Sequence, residues 1–150
     1  INSVVIQGWS NKVHDGHLGD SYLGQWVNLG AGTINSNLKN NYSDIDVMVN
    51  GIMTKTSSKF VGCFMGDHVK TAIGTRLNTG TVIGIGSNIV TNGFPPKTIA
   101  PFSWCVGNKV KPVRWEAFLE TAEIVKSRRG LEFSVADKKL LESIYRRKKT

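Results

Sequence analysis

The feature that most constrains this chain is a repeat of six residues. From Leu23 it reads Leu-Gly-Gln-Trp-Val-Asn, then Leu29-Gly-Ala-Gly-Thr-Ile. After an interruption it resumes at Met65-Gly-Asp-His-Val-Lys. Thr71-Ala-Ile-Gly-Thr-Arg, Leu77-Asn-Thr-Gly-Thr-Val and Ile83-Gly-Ile-Gly-Ser-Asn follow. The first position is apolar in five of these six units, Thr71 being the exception. The second is usually Gly or another small residue, and the fifth is Val or Thr except at Ser87. One hexapeptide suits one short strand plus one turn. Three of them make a triangular coil of about 18 residues, one rung of a parallel β-helix. The apolar first position points inward and stacks on the next coil. The small second position permits the turn, and the small fifth position fills the corner. A Gly-rich β-sandwich would instead show period-two alternation and frequent hairpin signals, and little of either is present. The body is therefore expected to be all-β.

The interruption covers about residues 36–59. Its Asp44-Ile-Asp-Val-Met-Val49 run alternates, and Asn50-Gly51 is the strongest hairpin-turn signal in the chain. A loop or hairpin should project here, and long loops on rigid scaffolds usually carry function.

Glycine and charge divide the 150 residues. Fifteen of the 16 glycines precede residue 110, whereas residues 106–150 hold 12 of the 19 Lys/Arg and 6 of the 11 Asp/Glu. The body spans 1–113 and a charged tail 114–150. From Arg114 to Arg128, Trp115, Phe118, Leu119, Ala122 and Val125 lie on one helical face, with Gly130 as the C-cap. Ser134 and Asp137 open a second helix whose apolar face is Leu140, Leu141, Ile144 and Tyr145. Arg146-Arg147-Lys148-Lys149 suits the negative end of that helix. No nucleic-acid motif accompanies this cluster, so the overall charge of +8 points to a phosphate-facing rim rather than a nucleic-acid partner. No apolar run reaches the ~18 residues of a membrane span, and no signal peptide is visible. Cys63 and Cys105 are too few for a disulfide framework and lack CxxC partners, so a reduced, cytoplasmic setting is expected.

The run from His14-Asp-Gly-His-Leu-Gly-Asp through Thr33-Ile-Asn-Ser-Asn37 is more specific than a generic repeat. It resembles the C-terminal acetyltransferase domain of bacterial N-acetylglucosamine-1-phosphate uridyltransferase/glucosamine-1-phosphate acetyltransferases. The nearer likeness is to a less characterised sugar nucleotidyltransferase group of that family. That group has stretches similar to Ser10–Gly16, Leu38–Tyr42 and Gly93–Lys97. The likeness covers most of residues 1–105 and, loosely, the tail. It implies a left-handed β-helix, a homotrimer and a role in UDP-N-acetylglucosamine synthesis. It also implies an upstream nucleotidyltransferase domain outside this chain, which would account for the start at Ile1. Mg2+ would belong to that domain alone.

Acetyl transfer from acetyl-CoA to a sugar amine needs a base for the amine and donors for the thioester oxyanion. His14 matches the family's catalytic histidine, and imidazole suits a base near neutrality. Asp15 is a candidate to orient it. His17, Asn28, Asn37 and Lys39 are expected at the sugar-phosphate substrate. Ala31, Cys63 and Thr81 match positions along the coenzyme channel. Lys97, Lys109 and Lys111 are candidates for the coenzyme phosphates. The pattern also departs from the family. His17 replaces a sugar-contacting tyrosine, Asn2 stands near a sugar-contacting lysine, and Leu38 replaces a tyrosine. These departures support a second reading, an inactive trimerisation or regulatory domain. Asn residues also cap turns, and Cys63 and Thr81 equally suit buried coil corners.

A zinc site is the remaining alternative, because the gamma-class carbonic anhydrases are trimeric hexapeptide helices with three histidine ligands. The three histidines here are His14, His17 and His68. A spacing of three does not put the first two on one face of a coil whose repeat is six. No metal is expected.

Overall fold

The computed structural model describes residues 1–107 and 109–147, so Lys148 and Lys149 of the basic cluster lie outside the described residues. The chain winds as a stack of parallel coils. The first coil contributes β1 (Asn2–Ile6). The second contributes β2 (Gly19–Leu23), β3 (Asn28–Leu29) and β4 (Ile34–Asn35). A hairpin of β5 (Asp46–Val49) and β6 (Ile52–Lys55) then leaves the stack. β7 (Cys63–Met65), β8 (Lys70–Thr71) and β9 (Arg76–Leu77) form the third coil, and β10 (Thr81–Ile83) and β11 (Asn88–Val90) the fourth. β12 (Thr98–Ile99) and β13 (Ser103–Val106) form the last, and β14 (Lys109–Pro112) turns back on β13 antiparallel. The stacked strands make three faces: β1-β2-β7-β10-β12, then β3-β8-β11-β13-β14, then β4-β9. They are called here the first, second and third faces. The architecture is the expected parallel β-helix with a projecting hairpin and a helical tail.

The register counts the repeat directly. Phe64 pairs with Val82, three hexapeptides further on, which is one full coil. Tyr22 pairs with Phe64, a separation far longer than one coil, so the excess chain leaves the stack there as the hairpin segment. The last step, Val82 to Thr98, falls slightly short of three hexapeptides. Pro95 and Pro96 fall in that step and lack the N–H a ladder needs, which is why the third face stops at two strands.

Burial follows the repeat. The first positions Leu23, Leu29, Met65, Leu77, Ile83 and Ile89 are buried and form one continuous core. Each such side chain contributes about 1.5–3 kcal/mol by leaving water. The fifth positions Val27, Thr33, Val69, Thr75, Thr81 and Ser87 are all fully buried at the corners. Their hydroxyls are satisfied locally: Thr75 and Thr81 donate to the carbonyls of Ala72 and Asn78 at 2.8 and 2.7 Å.

One corner is a ladder of left-handed residues. Trp9, Trp26, His68, Gly86 and Phe102 all have φ between 52° and 69°. Each non-glycine member costs roughly 1–2 kcal/mol in this conformation. Ring stacking offsets it, with Trp9 on Trp26 at 5.5 Å and Trp26 on His68 at 6.1 Å. At Gly86 a Cβ would meet Phe102 at 2.6 Å and Phe118 at 3.0 Å. The missing side chain is the space into which the tail docks.

The tail is α1 (Trp115–Ser127) and α2 (Val135–Arg147). Phe118 meets Phe102 edge-on at 5.1 Å and His68 at 5.7 Å. Gly130, at φ 69°, donates to Ser127 O while Leu131 donates to Lys126 O, the Schellman pattern that ends α1. Ser134 and Asp137 form a reciprocal cap at the start of α2. Lys126 Nζ reaches Asp137 at 2.6 Å and ties the two helices together.

The projecting segment is the expected hairpin. Asp46–Val49 pairs antiparallel with Ile52–Lys55, and Asn50 and Gly51 both have positive φ at the turn. Ile45, Val47 and Val61 bury its base against Val82. Among the described residues no helix is long and apolar enough to cross a membrane.

Candidate active site

On the third side of the first coil, residues 12–17 form a loop. Lys12 Nζ donates to the carbonyls of His14 and Asp15 at 2.7 and 2.5 Å, curling the backbone around the ammonium. A Cβ on Gly16 would run into Thr33 O, so glycine is what lets the loop press against the corner below. His17 O accepts from Asn35 N–H at 3.0 Å. The loop is thus pinned to the coil and leaves the His14 and His17 side chains exposed. Asp15 contacts the loop through its carbonyl, and no hydrogen bond joins its carboxylate to His14 among the described residues.

His17 and Asn37 converge over Gly19. A Cβ built on Gly19 would sit 2.7 Å from His17 Nε2 and 2.8 Å from Asn37 Nδ2. The two hydrogen-bonding side chains therefore close directly over Gly19, so tightly that residue 19 has room only for glycine. Asn37 Nδ2 donates to Asp20 Oδ2 at 2.6 Å, which fixes the amide and leaves its second N–H for a ligand. Asp20 holds φ at 46°.

Beneath this pair lies a buried polar network. Asn35 Oδ1 accepts from Gly19 N–H at 2.8 Å, and its Nδ2 donates to Gly19 O at 2.9 Å. Ser21 Oγ also donates to Gly19 O and accepts from Cys63 N–H at 2.9 Å. Gly62 packs so closely that a Cβ there would overlap Gly19 O. Sequence reasoning missed Asp20, Ser21 and Asn35. The signal for Asn35 was its place: counted from Leu29 it opens a hexapeptide, where an apolar residue belongs.

The remaining candidates lie elsewhere. Asn28 is on the second face, exposed, beside Lys70 in register. Ala31 is at the corner leading to the third face, where its carbonyl accepts from Gly74 N–H at 2.7 Å. Cys63 and Thr81 are fully buried inside the coil, so any part they play in a channel is played by their backbone. Burial pushes the Cys63 thiol up to about 11. Lys39 is engaged within the projecting loop, donating to Ser43 Oγ and Asp44 O. His68 is in the aromatic corner, where burial pushes its pKa down to about 4 and its Nδ1 has no hydrogen-bond partner among the described residues. Among the described residues no group of His, Cys, Asp and Glu is placed to hold a metal ion.

The fold and the loop define the chain as a hexapeptide-repeat β-helix domain with a histidine-bearing loop over its first coils. The chain is 34% identical over 87 residues to the "Bifunctional sugar-1-phosphate nucleotidylyltransferase/acetyltransferase" of Sulfurisphaera tokodaii, covering 58% of this chain and 21% of the relative. It is 35% identical over 99 residues to the "Bifunctional protein GlmU" of Methanococcus vannielii, covering 66% and 24%. It is 30% identical over 97 residues to a protein of the same name from Xanthomonas campestris, covering 65% and 19%. No family model matches the chain. The chain resembles these sugar-1-phosphate nucleotidyltransferase/acetyltransferases, and it spans about a fifth to a quarter of their length.

Proposed function

We propose that this chain is the acetyl-CoA-dependent N-acetyltransferase domain of a sugar-1-phosphate nucleotidyltransferase. Its acceptor is an amino-sugar phosphate such as glucosamine 1-phosphate. The observation that carries this reading is the convergence of the His17 and Asn37 side chains over Gly19, beside the His14 loop. His14 takes a proton from the sugar amine as the nitrogen attacks the thioester carbonyl. The C–N bond forms, the C–S bond breaks, and coenzyme A leaves as the thiolate. His17 and Asn37 bind and orient the acceptor. Asn28 lies on another face of the same chain, so a neighbouring copy in a homotrimer would bring the second face of one chain to the loop of the next. The nucleotidyltransferase step, with its Mg2+, belongs to a separate domain of a cytoplasmic protein.

The test is acetyl transfer to glucosamine 1-phosphate by this chain and by His14→Ala, with acetyl-CoA binding and the oligomeric state measured in parallel. Turnover lost in His14→Ala supports the reading. A trimer that neither turns over nor binds acetyl-CoA overturns it for this substrate. That result favours the second reading, a trimerisation module. The observations behind that alternative are the engagement of Lys39 within its own loop and the burial of Cys63 and Thr81.

A further inference from the structure

The second face carries a file of outward side chains that the acetyl-transfer reading does not use, Asn28 apart. In register, Asn11 pairs with Asn28, Asn28 with Lys70, Lys70 with Asn88, Asn88 with Trp104, and Trp104 with Lys111. Helix α1 lies alongside this file and closes a groove. One cavity of about 740 Å³ runs from Lys70 past Asn88 and Trp104 to Lys111 and Arg114. A second, of about 370 Å³, runs from Lys70 past Asn28 to Arg128 and Arg129. Lys70 lines both.

The groove is charged in one sense only. Five cations line it, and no carboxylate does among the described residues. None of the five is in a salt bridge among the described residues; the pairs found are Lys126–Asp137 and Arg146–Glu142. Lys70 is half-buried, and its ammonium has one neutral partner, His68 O at 3.2 Å. Burial lowers its pKa. A desolvated ammonium without a counter-ion is costly, and an anion delivered to it relieves that cost. The two neighbours of Lys70 in the file are amides, which add hydrogen bonds to oxyanions. Two strands further along the file is the Trp104 indole, 44% exposed. At the usual strand spacing it is roughly 10 Å from Lys70. A cation between amides, followed by a flat ring on the same line, matches a ligand with phosphates at one end and a planar base at the other.

We propose that this groove is a nucleotide-binding site contained in a single chain, with phosphates over Lys70 between Asn28 and Asn88 and the base against Trp104. It shares Asn28 with the acetyl-transfer reading but is tested apart from it. The site needs only α1 and the second face, and the binding assay below does not read turnover.

The experiment is calorimetric titration of the full chain with ADP, UDP, coenzyme A and inorganic phosphate, with tryptophan fluorescence as a second readout. A nucleotide is expected to bind at least tenfold more tightly than inorganic phosphate. Lys70→Met should weaken the nucleotide at least tenfold, and Lys70→Arg should retain it. Trp104→Leu should weaken the nucleotide at least tenfold and leave phosphate unchanged. Thermal melts establish that each variant is folded. If coenzyme A shows the same dependence on Lys70 and Trp104, its adenine diphosphate end is a source of the ligand; if only ADP or UDP does, free nucleotide is. Failure of every nucleotide to bind at millimolar concentration overturns the proposal. So does binding that is equal in wild type, Lys70→Met and Trp104→Leu, and so does phosphate binding as tight as nucleotide.

Discussion

Asn35 grips the Gly19 peptide from both sides, accepting from its N–H at 2.8 Å and donating to its carbonyl at 2.9 Å. Asn35 sits where the repeat calls for an apolar side chain, and it supports the residue over which His17 and Asn37 converge. Its replacement by Leu restores the repeat but strands the buried Gly19 N–H and leaves the Gly19 carbonyl to Ser21 alone. Asn35→Leu is expected to lose about 1–3 kcal/mol of stability, read as a lower chemical-denaturation midpoint. A midpoint equal to or above wild type would show that the pair is dispensable.

Gly19→Ala separates the site from the fold. The new methyl would meet the tips of the His17 and Asn37 side chains, at 2.7 and 2.8 Å, and displace them rather than backbone. The melting temperature should therefore move by only a few degrees, while kcat/KM for acetyl transfer falls at least tenfold. Full activity in Gly19→Ala would remove the His17–Asn37 pair from the mechanism.

His68 makes stability depend on pH. Its pKa is about 4 when folded against an ordinary 6.5, mainly because of burial, with Lys70 and Lys126 adding to the shift. The unfolded chain binds the proton more readily, so stability is complete above pH 6.5 and declines as the pH falls towards 4. His68→Phe keeps the ring ladder and removes both the titration and the unpartnered Nδ1. It should flatten melting temperature against pH in this window. A slope identical to wild type would place the acid sensitivity elsewhere.

Asp137 acts lower on the scale. Its hydrogen bonds to Lys126 and Ser134 hold its carboxyl at about 2, against 3.8. Its contribution is present above pH 3.8 and is lost as the pH falls through 2. Asp137→Asn should loosen α2 at neutral pH, seen as faster amide exchange over Val135–Arg147. It should also remove the part of the acid transition below pH 4. Unchanged exchange in α2 would mean that the aromatic contacts alone hold it.

Much of the fold was legible because the repeat is a direct record of burial. Leu23, Leu29, Met65, Leu77, Ile83 and Ile89 are at the first position and inside, and Thr33, Thr75, Thr81 and Ser87 are at the fifth and in the corners. Asn50-Gly51 announced the hairpin because few residue pairs accept two positive φ angles in succession. Gly130 and Ser134 announced the helix ends by their own chemistry. The site was harder to read. His17 and Asn37 meet over Gly19 only after a full coil has brought the chain back into register, which no local pattern encodes. The groove beside α1 was illegible for the same reason. Lys70, Asn88 and Trp104 share a line only through pairing across successive coils.

The reversal at β14 has a consequence for the solution behaviour of the stack. A coil of parallel strands ends in a row of unpaired backbone groups, a natural template on which another chain could continue the winding. Here the last strand of the second face is covered by one running the opposite way, from Lys109 to Pro112, and Lys111 and Pro112 stand on that edge. Proline withholds a donor, and lysine resists the approach of a second copy. The strand thus acts as a terminator on this face, where the winding of a repeating sequence stops.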